Sequence, residues 1–231
     1  MKFSTLLRKE LRECLPWMLL AGILFLALGS LFLRTQINYR NPSWYYSRLS
    51  PGTIVESHLF TYRSILSVTG PLLLLSSTGL GLALGIRQFW IPNFTRTWQF
   101  LLHRSVSRNT ILAAKLTATM IAFIISLGPV WIGLYWYAGR PEASPIPQTL
   151  RIFVEGWIFI MLGLVTYLGT ALSGLSRAKW YTTKIFGLIL ATIVIVTTFP
   201  QCSLVWIFTM IIVSAAILLS RIFDTFGERE F

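Results

Sequence analysis

The residues that most often do chemistry in proteins are few and widely separated in this sequence. Its only histidines are His58 and His103, and its only cysteines are Cys14 and Cys202. The order of the apolar runs places the two members of each pair on opposite faces of a membrane. They can therefore share neither a metal ion nor a disulfide, and we expect no catalytic or metal site from them.

Short motifs for nucleotide or metal binding are also absent from the sequence. It has no G-x-x-x-x-G-K-[ST] phosphate loop, no H-E-x-x-H and no C-x-x-C. Its apolar runs hold no ionisable residue near their centres, although a carrier driven by protons or ions usually needs one. The sequence therefore predicts no cofactor and favours a function that is driven by another chain.

The composition is typical of a polytopic membrane protein. Mean hydropathy is +0.67, and 55% of the residues are hydrophobic while 12% are charged, about half the charged fraction of a soluble domain. In a soluble protein the net charge of +12 would suggest nucleic acid as a partner. Here the cations flank apolar runs, so membrane lipids are the expected partners and nucleic acid is not.

The apolar runs predict an all-α fold with six transmembrane helices in a single domain, residues 1–231. The spans are expected at about 15–33, 65–86, 116–137, 152–175, 181–199 and 203–220. Pro16 would then lie in the first turn of the first span, where its missing N–H does no harm.

Residues 1–14 predict a separate amphipathic helix before the first span. Glu10 interrupts the pattern because it falls within the apolar face. Its carboxylate either reaches back to interfacial water, or it pairs with an arginine of residues 87–115 or of another subunit.

Two spacings within or beside the spans predict contacts. The pattern Gly81-x-x-x-Gly85 predicts a close approach between helices, since small residues let two backbones come together in a membrane. Because one six-span chain has no closed site, we expect this glycine face at the contact between two subunits. Arg151 and Glu155 are four residues apart and predict a solvated ion pair that contributes little stability.

The distribution of Lys and Arg predicts the orientation. One side has fourteen: four in 1–14, five in 87–115, three in 176–184 and two in the C-terminal tail, against six on the other side. Because basic residues accumulate on the cytoplasmic side, both termini and residues 87–115 are expected there.

Residues 87–115 stand out from the other loops. They carry five basic residues and no acid, together with Phe89, Trp90, Phe94, Trp98, Phe100, Leu101 and Leu102. A basic, amphipathic segment of this kind either lies on anionic headgroups or inserts into a soluble partner.

The order of residues in this segment resembles the loop after the second span of ABC exporter permeases of type 2. It reads Thr97-Trp98-x-Phe100-Leu101-Leu102-His103-Arg104-x-Val106-Ser107-Arg108, then Ile111-Leu112 and Lys115. The usual form is GT, two residues, an LL pair, PVSR, an IL pair and K. Arg96 replaces the usual Gly and Ser105 the usual Pro, and Gln88, Pro92 and Asn93 occupy the region where an acidic residue is common.

The resemblance implies that residues 87–115 are a cytoplasmic coupling loop that docks into a cleft of a separate ABC ATPase subunit. The residues that it implicates are Arg96, Thr97, Trp98, Phe100, Leu101, Leu102, His103, Arg104, Ser107 and Arg108. It also implies a bacterial-type inner membrane and a homodimer, or a heterodimer with a related permease, in which this chain is not itself an enzyme.

Two other functions stay open at this stage. The chain could be a membrane anchoring or assembly protein without transport activity. It could also be an integral-membrane enzyme of lipid metabolism, although no cluster of acids, bases or metal ligands supports that function.

The topology prediction is tested with reporter fusions along the chain. We expect an outside signal from fusions at Trp44, Pro145 and Gln201, and an inside signal from fusions at Arg104, Lys179 and Phe231. An inside signal at Pro145 would contradict the six-span arrangement.

Overall fold

The computed structural model describes residues 2–40, 65–95, 107–140, 150–176, 185–198 and 203–227, and every regular element in these ranges is helical. The all-α prediction is confirmed for this part of the chain. The helices are α1 (Lys2–Arg40), α2 (Ile65–Gly85), the short α3 (Ile91–Phe94), α4 (Arg108–Ala138), α5 (Leu150–Leu175), α6 (Phe186–Thr198) and α7 (Leu204–Gly227). A π-helical turn, Ile86–Trp90, joins α2 to α3.

In the described ranges, five helical stretches are long and apolar enough to cross a membrane: Phe3–Leu31, Thr69–Phe94, Arg108–Ala138, Leu150–Leu175 and Leu204–Gly227. Each overlaps one of the predicted spans. The remaining predicted span, 181–199, is represented by α6, which is apolar but has only 13 residues, about 20 Å of helix against a hydrocarbon core of about 30 Å. A sixth span therefore stays a prediction.

The N-terminal residues do not form a separate helix in the structure. They are the first part of α1, a continuous helix of 39 residues with Pro16 inside it. Pro16 is thus not in a first turn as expected, and it leaves the carbonyl of Arg12 without an intrahelical partner. The helix continues through this point because residues on both sides of it, Glu10 and Phe25 among them, are buried against the bundle.

The predicted loop 87–115 is shorter than expected, because helix extends into it from both sides. The π turn and α3 carry the helical backbone to Phe94. Helix α4 begins at Arg108, where the Ser107 side chain accepts a hydrogen bond from the N–H of Thr110 at 3.3 Å and caps the helix. Lys115 is therefore a helical residue and not a loop residue.

Two pairs of helices run side by side in the same direction. In the first pair, α1 lies along α4, so that Glu10 is next to Lys115 and Gly22 is next to the Ser126 carbonyl. In the second pair, α2 lies along α5, where the Ser77 hydroxyl donates to the carbonyl of Phe159 at 2.8 Å. The first pair packs on the second through contacts of α1 and α4 with α2 and of α4 with α5.

Helix α5 is the centre of the bundle. In the most apolar 18 residues of α5, 83% are buried, against 61% or less in the corresponding stretches of the other four candidate spans. Helices α6 and α7 also pack on α5, and Gly169 of α5 meets Gly187 of α6 backbone to backbone. A helix surrounded in this way sets the positions of its neighbours.

The glycine pattern lies at a contact between α2 and α5 of one chain, and not between two subunits as expected. A Cβ atom added to Gly81 would overlap the Gly163 carbonyl, and one added to Gly85 would lie 2.6 Å from Cβ of Thr170. This face of α2 is covered within the chain. Any contact between two subunits must therefore use another face.

Two leucine substitutions in α2 test this contact. Gly81→Leu should destabilise the protein by roughly 1–3 kcal/mol, because the new side chain meets backbone that cannot move aside. Gly79→Leu is the matched control, since nothing lies within 4 Å of a Cβ at Gly79. Thermal unfolding in mild detergent gives the comparison, and equal melting temperatures for the two variants would contradict the packing described here.

Candidate functional site

One end of the bundle gathers the helix ends on either side of residues 96–106, which we call the basic segment. The end of α3, the start of α4, the N-terminal part of α1 and the C-terminal ends of α5 and α7 all lie there. Asn93 donates to the carbonyl of Gly174 at 3.3 Å, and Arg108 donates to the carbonyl of Gly227 at 3.4 Å. A cation at the C-terminal end of a helix is favourable because that end carries a partial negative charge.

The helices extend beyond the membrane at this end if the apolar runs 15–33 and 116–137 mark its hydrocarbon core. Residues 2–14 of α1 then add about 20 Å of helix, and Arg108–Lys115 of α4 adds about 12 Å. The two extensions lie against each other. The bundle thus continues past the apolar runs as a short helical extension, residues 2–14 of α1 and Arg108–Lys115 of α4, which we call the stub.

The residues that precede the basic segment are hydrogen-bonded to α5. The indole N–H of Trp90 donates to the carbonyl of Thr170 at 3.1 Å, one turn before the bond from Asn93 to Gly174. Gly174 makes room for this arrangement, because a Cβ there would overlap the indole ring. Phe94, the last residue of α3, is 76% exposed.

The exit from the basic segment is fixed by a buried ion pair. Nζ of Lys115 in α4 donates to Oε1 and Oε2 of Glu10 in α1 at 3.0 and 3.1 Å. The two side chains are only 5% and 6% exposed. Glu10 therefore does not reach out to interfacial water, as one expectation had it. It has a partner from residues 87–115, but the partner is Lys115 and not an arginine.

A buried amide lies next to this ion pair. Oε1 of Gln88, in the π turn, accepts hydrogen bonds from the Tyr167 hydroxyl at 2.6 Å and from the Thr119 hydroxyl at 3.3 Å. Its Nε2 donates to Sγ of Cys14 at 3.3 Å. One side chain thereby joins α1, α4 and α5 to the end of α2. We call Glu10, Lys115, Cys14, Gln88, Thr119 and Tyr167 the polar cluster.

The polar cluster is a structural arrangement with no catalytic geometry that we can identify. It offers one carboxylate, already paired with an ammonium group, and the described residues contain no group of His, Cys, Asp or Glu side chains that could hold a metal ion. Its chemistry is that of holding helices together in a defined register. Buried polar networks do this well when every member has a partner.

The residues implicated by the resemblance are divided between described and undescribed parts of the chain. Eight of them lie outside the described residues: Arg96, Thr97, Trp98, Phe100, Leu101, Leu102, His103 and Arg104. Residues 177–184, which hold the three basic residues of the 176–184 stretch, also lie outside the described residues. Ser107 and Arg108 lie at the start of α4, where Ser107 is an N-cap. Gly81 and Gly85 belong to the α2–α5 contact.

Sequence reasoning missed most of the polar cluster. The sequence singles out Gln88 only through the resemblance, because an acidic residue is common in that region of the permeases. No sequence pattern singles out Thr119 or Tyr167. Glu10 gave a signal, since a carboxylate on the apolar face of a helix requires a partner or water. The partner is 105 residues away, beyond the reach of any spacing rule.

Comparisons with known proteins add no identification. The chain matches no protein-family model, no curated protein and no solved structure. The functional interpretation therefore depends on the residues of this chain.

The buried ion pair makes a prediction about stability. Lys115→Met should destabilise the protein by about 3–5 kcal/mol, because it leaves the Glu10 carboxylate buried without a counter-charge. The matched control is Arg151→Met. The predicted Arg151–Glu155 pair is present at 3.0 Å, but its side chains are 57% and 39% exposed, so losing it should change stability by less than about 1 kcal/mol.

Thermal unfolding of the purified protein measures both changes. The double variant Glu10→Leu/Lys115→Met should recover much of the loss, since it removes both charges. If Lys115→Met unfolds at the same temperature as Arg151→Met, the ion pair is not buried in the way described here.

Proposed function

We propose that this chain is the membrane permease subunit of an ABC exporter of type 2. It would move its substrate across a membrane using ATP that a separate ATPase subunit hydrolyses. Both termini and the basic segment would face the cytoplasm of a bacterial-type cell, in agreement with the excess of Lys and Arg on that side.

The observation that carries this proposal is the fixed base of the basic segment. Trp90 and Asn93 bind its entry to α5, and the Ser107 cap and the Glu10–Lys115 pair hold its exit. A partner that pulls on residues 96–106 would therefore move helices and not merely a flexible loop. Packed side chains, hydrogen bonds and rigid helices of this kind can carry energetic coupling between two sites.

The residues between these anchors have the chemistry of a docking element. Trp98, Phe100, Leu101 and Leu102 give it an apolar surface, and Arg96, Arg104 and Arg108 place positive charge around it. The surface complementary to these residues would be a cleft on the partner with an apolar floor and acidic rims. The apolar side chains would supply affinity, while the arginines would orient the partner and accelerate its association.

The transport cycle then follows from rigid-body motion. Two permease subunits, identical or related, would form the transport path between them, and each would carry one ATPase. Closure of the ATPases on ATP would push the two basic segments and tilt the helices attached to them, so that access alternates between the two sides of the membrane.

The proposal is tested by placing a carboxylate in the apolar surface of the segment. Phe100→Asp and Leu101→Asp should leave insertion and folding intact, and at least one of them should release the ATPase, because losing a buried anchor typically weakens binding by about 2 kcal/mol or more. The assay is pull-down of the ATPase from solubilised membranes together with substrate-stimulated ATP hydrolysis.

A matched control comes from the opposite end of the bundle. Leu150, the first residue of α5, is 75% exposed, and Leu150→Asp introduces the same charge there without affecting ATPase binding. If both variants in the segment hold the ATPase and transport normally, the segment is a lipid-surface element. If no P-loop ATPase co-purifies even with the unmodified protein, the chain is an anchoring or assembly protein.

A further inference from the structure

The polar cluster is arranged in two levels along α1 and α4. Glu10 and Cys14 are four residues apart on α1, and Lys115 and Thr119 are four residues apart on α4, so each pair lies on one face of its helix. The outer level is the Glu10–Lys115 ion pair. The inner level is Gln88 with its three partners, one helical turn further into the bundle.

The inner level depends on the π turn. In the turn Ile86–Trp90 the N–H of Ile91 bonds to the carbonyl of Ile86, so the turn holds one residue more than an α-helical turn. Gln88 and Phe89 are both buried, whereas Ile86 and Ile91 on either side are 44% and 50% exposed. The extra residue turns Gln88 towards α1 and α4 while Trp90 keeps its bond to α5.

An α-helical turn at this place could not satisfy both sets of bonds. Successive residues of an α-helix are rotated by about 100°, so removing the extra residue would turn either Gln88 away from the cluster or Trp90 away from Thr170. An α-helical turn would therefore be a second arrangement, distinct from the π turn of this structure. π turns of this kind often mark functional positions within helices.

The chemistry of the cluster also suits an interface that opens. Well-packed apolar residues at these positions would hold the helices at least as strongly as a buried ion pair does. Charged and amide groups differ from apolar ones in that water can solvate them when the helices separate. The outer level, Glu10 and Lys115, lies in the stub, where α1 and α4 extend beyond the apolar runs 15–33 and 116–137.

We propose that the polar cluster is a conformational latch with two states. In the closed state, described here, the π turn presents Gln88 to Cys14, Thr119 and Tyr167, and the N-terminal part of α1 lies against α4. In the open state the turn is α-helical, Gln88 is withdrawn, the ion pair is hydrated, and the N-terminal part of α1 separates from α4. This property belongs to the chain alone and does not require the ATPase of the proposed function.

Cys14 is a built-in reporter of the latch. Its side chain is buried, with 1% exposure, and the only other cysteine of the chain is Cys202. In a Cys202→Ser background, the rate of maleimide labelling in native membranes reports on opening at Cys14. The rate should be slow in this background and should reach a plateau at high maleimide concentration, where opening becomes limiting.

Variants of the cluster should raise the labelling rate. Gln88→Leu removes the acceptor of the Tyr167 and Thr119 hydroxyls, Thr119→Val removes one of the two hydrogen bonds to Gln88 Oε1, and Glu10→Gln removes the counter-charge of Lys115. Each loss should shift opening by about tenfold or more. Thr119→Ser keeps the hydroxyl and should stay slow, and the exchange Glu10→Lys/Lys115→Glu should restore slow labelling. Deletion of Arg87, which removes the extra residue of the turn, should label as fast as Gln88→Leu.

Two controls separate an open latch from a loosened fold. Ser173→Ala removes a buried hydroxyl that bonds only within its own helix, to the carbonyl of Gly169 at 2.9 Å, and should leave Cys14 protected. A second reporter, Ala171→Cys in a chain lacking Cys14 and Cys202, lies in α5 at a fully buried position. It should remain protected in every variant of the cluster.

The outcomes are distinct. Faster labelling at Cys14 with unchanged labelling at position 171 supports the latch. Parallel increases at both positions show that the variants merely loosen the bundle, and unchanged labelling at Cys14 shows that the cluster does not hold α1 closed. Slow labelling after deletion of Arg87 would overturn the role of the π turn. Neither ATPase binding nor transport enters these measurements, so the proposed function is tested separately.

Discussion

The contact between the backbones of α2 and α5 determines where most of the other features can lie. Gly81 allows α2 to approach the Gly163 carbonyl so closely that no larger residue fits. In a membrane, helices gain little from apolar burial against each other, and close backbone contact is one of the principal sources of association. Because the two helices run in parallel, this contact also sets the height at which α2 ends beside α5.

The position of this end explains the polar cluster. With α2 held at Gly81 and Gly85, the π turn reaches the level of Tyr167 and Thr170 in α5. From there Gln88 extends towards α1 and α4, and Trp90 bonds to the Thr170 carbonyl. An apolar, tightly packed contact in the bundle thus gives way to polar contacts near its end. The change suits the surroundings, because polar groups become easier to hydrate as the helices approach the aqueous phase.

The sequence predicted the parts of this protein that depend on local pattern. Runs of apolar residues located five helices that can cross a membrane, and spacing alone predicted the Arg151–Glu155 pair and the approach of Gly81 to another helix. Local pattern did not predict the continuation of α1 through Pro16, since propensity rules do not include the tertiary contacts that hold a helix together.

The polar cluster could not be predicted for a related reason. Glu10 and Lys115 are separated by 105 residues, and Gln88 and Tyr167 by 79, so their pairing follows from the order of helices in the bundle. The sequence indicated only that Glu10 was out of place on an apolar face. The π turn has no pattern of its own, because one extra residue in a turn is visible only when the helices on both sides have been placed.

The anchoring of the basic segment is what the proposed function uses to prefer a docking element over a lipid-surface element. Headgroups are fluid and present no fixed geometry, so a segment that only lies on them gains nothing from a rigid base. Here the π turn and α3 are each bonded to α5 by one side chain, Trp90 and Asn93, just before the segment begins. Helix α4 is capped at Ser107 where the segment ends, and is paired with Glu10 two turns later. Ordering these groups costs conformational entropy. A partner that itself has a fixed shape would make use of that order. Under the proposed function, a folded ATPase would be the partner of residues 96–106, and the helices anchored on either side would carry its motion into the bundle.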